Sequence, residues 1–225
     1  MTGTATTFGA LVTQDNSNVR KALKGGVLIA PMSSALPSSL TIDSATDPGT
    51  PVLQTLTGFT SLGFFDDSGA VFSENISSAD IAAWGELEPI RRDITSDVTT
   101  LKINALETNK TTLATYFGVD PSTLTPDETT GELQIEKNPS PAATYYRVLV
   151  LAQDGASGSE YWIARMLPRA SVTDLGDMTF ASAKDGITFD MTLTAYKDST
   201  AGYSVMTYLA GPGWLAGLTA AGLGS

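Results

Sequence analysis

A β-rich domain with one main helix is the fold class this sequence predicts, and three observations predict it. Most apolar residues fall in short runs that alternate with polar ones, the period of a strand with one buried face. Glycine (21) and proline (11) are plentiful, as expected where many turns join short strands. Only one stretch, within Ile90 to Gly118, changes from a period of two to a helical period. At 225 residues, with 42% hydrophobic side chains, the chain can bury a sizeable core in one domain with long loops or in two small ones.

The Ile90 to Gly118 stretch reads IRRDITSDVTTLKINALETNKTTLATYFG. Leu101, Ile103 and Ala105 alternate with Thr100, Lys102 and Asn104, and Asp93 to Leu106 is long enough for one continuous strand. Thr108 or Asn109 can cap a helix that Gly118 stops. Leu113, Tyr116 and Phe117 fall on one face of that helix and are expected to pack on the sheet within one subunit.

The remaining elements follow in chain order. Residues 1–17 are polar and irregular, an N-terminal arm. A strand is expected at Gly26–Ala30. Residues 32–59 form a long loop with three prolines, many Ser and Thr, and two charges, Asp43 and Asp47. So long a stretch without periodicity is uncommon in a compact domain. It is either a disordered surface loop or one that orders against a partner chain and buries Leu40, Ile42, Val52, Leu53 and Leu56. Asp66-Asp67-Ser68-Gly69 lies between two apolar segments and reads as a hairpin turn. Trp84 in DIAAWGELEPI is a large apolar anchor. Residues 119–141 are an acidic linker that can hold a short hairpin at Thr130-Gly131, with Leu133 and Ile135 pointing one way. Thr144 to Ala152 is the strongest strand, and Glu160 to Leu167 pairs back on it through QDGASGS. Residues 172–180 are a weaker strand or turn. Ile187 to Tyr196 alternates between a dry side (Ile187, Phe189, Met191, Leu193, Ala195) and a wet side (Thr188, Asp190, Thr192, Thr194, Tyr196). Tyr203 to Leu209 is a last strand, so that residues 1–209 make the domain. Residues 210–225 read as a Gly- and Ala-rich flexible tail.

Composition removes most chemistries. With no cysteine and no histidine, there are no disulfides, thiolate or imidazole metal sites, cysteine nucleophiles or His-dependent triads. Carboxylate-only chemistry survives on paper, but Glu86 with Glu88, and Asp174 with Asp177, suit solvated loops and turns better than a sugar cleft. Gly211-Pro212-Gly213 lacks the spacing and the Lys-Ser/Thr partner of a phosphate loop. Asp66 and Asp67 do not match a calcium loop. The reading therefore has no catalytic residue, no cofactor and no metal. The net charge is −11, with 24 acidic against 13 basic side chains, and no basic face suited to gripping phosphates. No apolar run approaches the ~20 residues of a membrane span, and MTGTATTFGALVTQDN has no basic region or apolar core of a secretory signal.

Four stretches carry a family resemblance: NVRKALKGGVLIAP at 18–31, SLGFFDDSGAVFS at 61–73, WGELEPIRRDITSDVTTLKINALETNKTTLATYFG at 84–118 and TFDMTLTAYKDSTAGYSVMTYLAGPGW at 188–214. In these the chain resembles the major tail tube protein of long, non-contractile-tailed double-stranded DNA phages, especially those of actinobacterial hosts. The resemblance implies a β-sandwich or small barrel flanked by one helix, similar in fold to the tube protein of type VI secretion. It implies a structural virion protein without enzymatic activity, made in the host cytoplasm and residing in the tail. Six copies would form a ring, and rings would stack into a hollow tube. The tube would enclose the tape-measure protein, meet the tail terminator and distal tail proteins at its ends, and conduct DNA without binding it. Within that expectation Thr188, Asp190, Thr192 and Thr194 are candidates to face the lumen; the alternative is that this face is the outer wall. Leu40, Ile42, Val52, Leu53 and Leu56 become candidates for contact between subunits or rings. Two readings from other classes stand beside it. A β-sandwich carbohydrate-binding or adhesion module would use Trp84, Trp162 and Trp214 as sugar platforms and remain monomeric. A carboxylate-dependent hydrolase would show turnover lost on changing one acid.

Overall fold

The structure is a computed structural model, and it describes residues 7–12, 14–178, 180 and 186–224. Most of the N-terminal arm expected at 1–17 lies outside the described residues or forms short turns. A one-turn helix, α1 (Phe8–Leu11), is capped by Thr7, and Asn16–Asn18 make a 3-10 turn capped by Asp15. The strands follow as β1 (Lys24–Pro31), β2 (Thr41–Asp43), β3 (Pro51–Leu53), β4 (Thr60–Ser61), β5 (Phe65–Ile81) and β6 (Arg91–Ala105). After α2 (Lys110–Phe117) come β7 (Tyr146–Asp154), β8 (Tyr161–Leu175), β9 (Phe189–Ala195), β10 (Met206–Ala210) and a short helix α3 (Pro212–Gly217). The chain is mainly β, as the alternating runs predicted.

One antiparallel sheet organises the molecule, in the order β4-β1-β7-β8-β9-β6-β5, with β10 also on β8. The sheet bends back on itself, so that its two halves enclose a core. Val27 and Ile29 of β1, Val148 of β7 and Leu167 of β8 meet Leu101 and Ile103 of β6 and Met191 and Leu193 of β9. The turn-over brings β5 against β8, although two strands, β9 and β6, separate them along the ladder. The Arg165 guanidinium lies 4.3 Å from the centre of the Phe72 ring and donates to Glu74 at 2.5 Å.

The back of β7 and β8 carries a second core. Leu149, Trp162, Ala164 and Met166 are buried there beneath Leu40, with Leu36, Leu56 and Phe59 packed around it. These lids come from residues 32–59, so the long loop is neither disordered nor kept wholly for a partner. It folds onto its own sheet and projects only the β2–β3 hairpin, in register Thr41↔Leu53, Ile42↔Val52 and Asp43↔Pro51. A sheet with two apolar faces needs a second cover, and a loop rich in Leu and Pro but poor in charge supplies it.

Three local expectations change. Asp66 to Gly69 is not a hairpin turn; it is a bulge inside β5, where the register jumps from Phe65↔Ala105 to Ala70↔Ile103. The turn chemistry is there: Ser68 N donates to Asp66 Oδ1 at 3.1 Å and Gly69 sits at φ 65°. It re-aims the strand instead of reversing it. The reversal comes later, at 82–90, and makes β5–β6 one long hairpin. At Thr130-Gly131 there is a tight turn, closed by Asp127 N to Glu132 O at 2.9 Å, without flanking strands. Beyond 210, residues 212–217 are helical, with Gly213 buried, because a Cβ there would run into Ser159 and the Tyr161 ring.

Candidate functional site

Two surfaces stand out, one on the sheet and one at the end of the long hairpin. The first is the polar face of β6, β8 and β9. Residues paired across antiparallel strands share a face, so Thr100 with Thr194, Lys102 with Thr192, Thr192 with Asp174, and Asn104 with Asp190 form rows on one side of the sheet. Their neighbours Leu101, Ile103, Met191 and Leu193 point into the core. Lys102 Nζ lies 3.0 Å from Asp190 Oδ2, which raises the lysine pKa. Asn104 donates to Asp66 Oδ2 at 2.8 Å, and the hydroxyls of Thr173 and Thr194 are 2.8 Å apart. Burial works to raise the Asp66 pKa, but the hydrogen bonds from Ser68 and Asn104 outweigh it and hold the carboxyl below its usual value. Lys102 thus stands among three carboxylates, Asp66, Asp174 and Asp190, and the face is net acidic. Of the four residues expected to line a lumen, Asp190, Thr192 and Thr194 lie together on this face of β9, half-buried. Thr188 lies one residue before the strand begins.

The second surface is the far half of the β5–β6 hairpin. From Glu74↔Thr99 to Ile81↔Arg91 the two strands pair only with each other. Among the described residues, nothing pairs with the outer edge of β5, and β9 meets β6 only from Thr100 onward. Ion pairs stitch the ribbon's end, with Arg92 Nε on Asp80 Oδ1 at 2.7 Å and Arg91 Nε on Asp93 Oδ1 at 2.8 Å. Its apolar side chains have no intramolecular cover. Ile76, Ile81, Ile90 and Ile94 are exposed, and Trp84 and Leu87 at the tip are 106% and 104% exposed. A two-stranded ribbon is marginal in water by itself, and monomers rarely leave so many large apolar groups together in solvent. The sequence reading placed Trp84 as an anchor but missed the ribbon. The signal was there in Ile90 to Asp93, which leads into a strand far longer than its own core needs.

The helix and the long loop place the other candidates differently from one another. Asn109 caps α2 by accepting from Thr112 N at 2.9 Å, and Gly118 ends it at φ 65°. The buried face is Thr112, Ala114, Thr115 and Tyr116, with Leu113 only partly covered. Phe117 is 42% exposed, contrary to expectation. The reason is that threonine hydroxyls can be buried when backbone carbonyls accept from them: Thr112 Oγ1 donates to Leu62 O at 2.8 Å and Thr115 Oγ1 to Thr111 O at 2.8 Å. That rotates Phe117 outward, edge-on to the Tyr116 ring at 5.2 Å. In the long loop, Leu40 is buried in its own chain, which leaves it no surface for a neighbour. Leu56 and Val52 are half-buried, whereas Ile42 and Leu53 remain exposed.

A groove of about 630 Å³ opens between α2, the end of β1 and residues 144–146. Ile29, Ala30, Ala114 and Tyr146 form its floor and walls, and Lys110 and Asp120 stand at its rim. The Asp120 carboxylate turns to Ser122, accepting from its N and Oγ at 2.7 Å each, and these bonds lower its pKa. Among the described residues no three potential metal-ligating side chains cluster, and no helix is long and apolar enough to cross a membrane.

The model of the phage tail tube protein family matches residues 12–212. Among solved structures, the chain is similar to one described as the crystal structure of Hcp protein, with 12% identity, a TM-score of 0.31, and coverage of 82% of this chain and 97% of that one. No curated protein matches. The family match takes in every strand, both surfaces and the groove, and its members are structural rather than enzymatic. The chain belongs to the phage tail tube protein family.

Proposed function

We propose that this virion tail protein assembles as rings of six, that the rings stack into a hollow tube, and that phage DNA leaves the capsid through the bore. The observation that carries the reading is the ribbon at 74–98: two strands with both edges open and apolar side chains in solvent. Such a ribbon suits a protein that completes its sheet with other copies of itself. The exposed Ile42 and Leu53 of the β2–β3 hairpin offer a second contact, between subunits or between rings.

The polar face of β6, β8 and β9 supports a lumen lined by Asp190, Thr192 and Thr194, with Thr188 beside them. Three carboxylates against one lysine repel phosphate, so a duplex would slide past without the counterion release that drives binding. During assembly in the host cytoplasm the same bore would hold the tape-measure protein, and the tube's ends would meet the tail terminator and distal tail proteins.

Negative-stain microscopy of the purified protein tests the assembly directly. Rings or tubes with a central hole are expected. A protein that stays monomeric at high concentration overturns the proposal. A reconstruction with the β9 polar face outward overturns the lumen assignment alone.

A further inference from the structure

We propose that the tip of the β5–β6 ribbon docks into the α2 groove of a second copy, with Trp84 and Leu87 entering the apolar floor and Glu86 and Glu88 meeting Lys110 at the rim. This rests on the self-assembly reading above and names the contact that carries it.

The tip and the groove are complementary. The tip loop, AAWGELEPI at 82–90, places two fully exposed large apolar side chains beside two exposed carboxylates and contains no base. The groove offers an apolar floor of Ile29, Ala30 and Ala114 and one exposed lysine. Lys110 makes no ion pair among the described residues, and Asp120 beside it has its carboxylate engaged by Ser122. An exposed lysine beside an apolar groove complements the charge and the apolar side chains of an acidic, apolar tip. The volume of about 630 Å³ accommodates an indole and a leucine side chain, and lies within the range of ~300–1,000 Å³ typical of binding pockets.

The reach is sufficient and the partner must be another molecule. Eight strand residues from Glu74 to Ile81, at ~3.3 Å each, carry the tip about 26 Å beyond the core. Full exposure of Trp84 and Leu87 shows that these two side chains are uncovered by the other described residues. Each copy contributes one tip and one groove, so the contact is head-to-tail. It leaves a free tip and a free groove at every step until rotation closes a ring or layers add without end.

Because the chain has no cysteine, engineered thiols report one contact only. Trp84→Cys protein mixed with Thr111→Cys protein and oxidised under assembly conditions should give a dimer band that contains one chain of each kind. A photo-crosslinking residue at Leu87 in otherwise unaltered protein supplies a second measurement that does not need the indole removed. Its intermolecular adducts should map to 110–121 or 144–146. Adducts at 137–143, on the other flank of α2, or on another tip, or on a co-purified protein of different sequence, overturn the proposal. So does the absence of the mixed dimer from tubes that still form. If the unaltered protein forms no rings or tubes, the failure lies with the assembly reading instead.

Discussion

The two halves of the β5–β6 hairpin share strands, register and hand, yet live in different solvents. Near the base, Leu101, Ile103 and Ala105 are buried and face Met191 and Leu193 across β9. Beyond Thr99 the same alternation continues into water, with Ile94 and Ile76 exposed on a ribbon that has no third strand among the described residues. The base is held by what surrounds it and the far half only by its own ladder. Periodicity alone therefore says that a strand has an apolar face, and not which molecule covers that face. On the proposed assembly, the answer changes along a single strand.

That contrast can be broken in three places, in decreasing order of effect. Replacing Leu101 with Ala removes a fully buried side chain from the centre of the core and should cost about 2–5 kcal/mol, read by urea denaturation of the monomer. A cost no larger than a surface substitution would mean that the base is no better packed than the ribbon. Next comes the joint that ties the base to the helix. Asn109 caps α2 and also donates through Nδ2 to Leu62 O at 3.0 Å. Asn109→Ala should cost about 1 kcal/mol in the same assay and leave the ribbon untouched. The smallest effect belongs to the ribbon's own ion pair. The Arg92 guanidinium lowers the Asp80 pKa, so the folded state binds fewer protons there than the unfolded one. The contribution is complete above the unfolded value of about 3.9, and is lost as pH falls through the lower folded value. Amide exchange at 79–81 and 91–93 should quicken over that acid range while exchange at 100–105 does not, and added salt should blunt the difference. Uniform acceleration across both halves would show that they open as one unit.

Much of the fold was legible because local chemistry and tertiary role agreed. Met191 and Leu193 alternate with Thr192 and Thr194, and the strand they make has one core face and one wet face. Asn109 and Gly118 mark the helix ends because capping is a local hydrogen bond and a local dihedral. Where the reading failed, a distant group decided. Asp66 to Gly69 has every feature of a turn, but Asn104 on the neighbouring strand holds it as a bulge. Phe117 sits on the helical face that periodicity favours, yet Leu62 O accepts from Thr112 and turns another face inward. Leu40 looked free for a partner because nothing nearby in sequence covers it. Its cover is Leu149 and Met166, more than a hundred residues away. A deletion through 38–54 would therefore strip a lid from the chain's own core, and any test of the β2–β3 hairpin as an intermolecular contact has to spare Leu40 and Leu56.

The open ribbon also bears on how such a protein survives its own abundance. A tail needs many copies, and each carries two bare strand edges that could template stacking in any register. Charges punctuate those edges: Glu74, Asp80, Asp93 and Asp97 with Arg91 and Arg92. A slipped pairing would set like charges opposite one another, whereas a specific docked arrangement can avoid that conflict. The edge that the proposed assembly would use thus carries its own guard against fibrillar aggregation. Neutralising those charges would be expected to show first as precipitate in concentrated stock, before any loss of folded monomer.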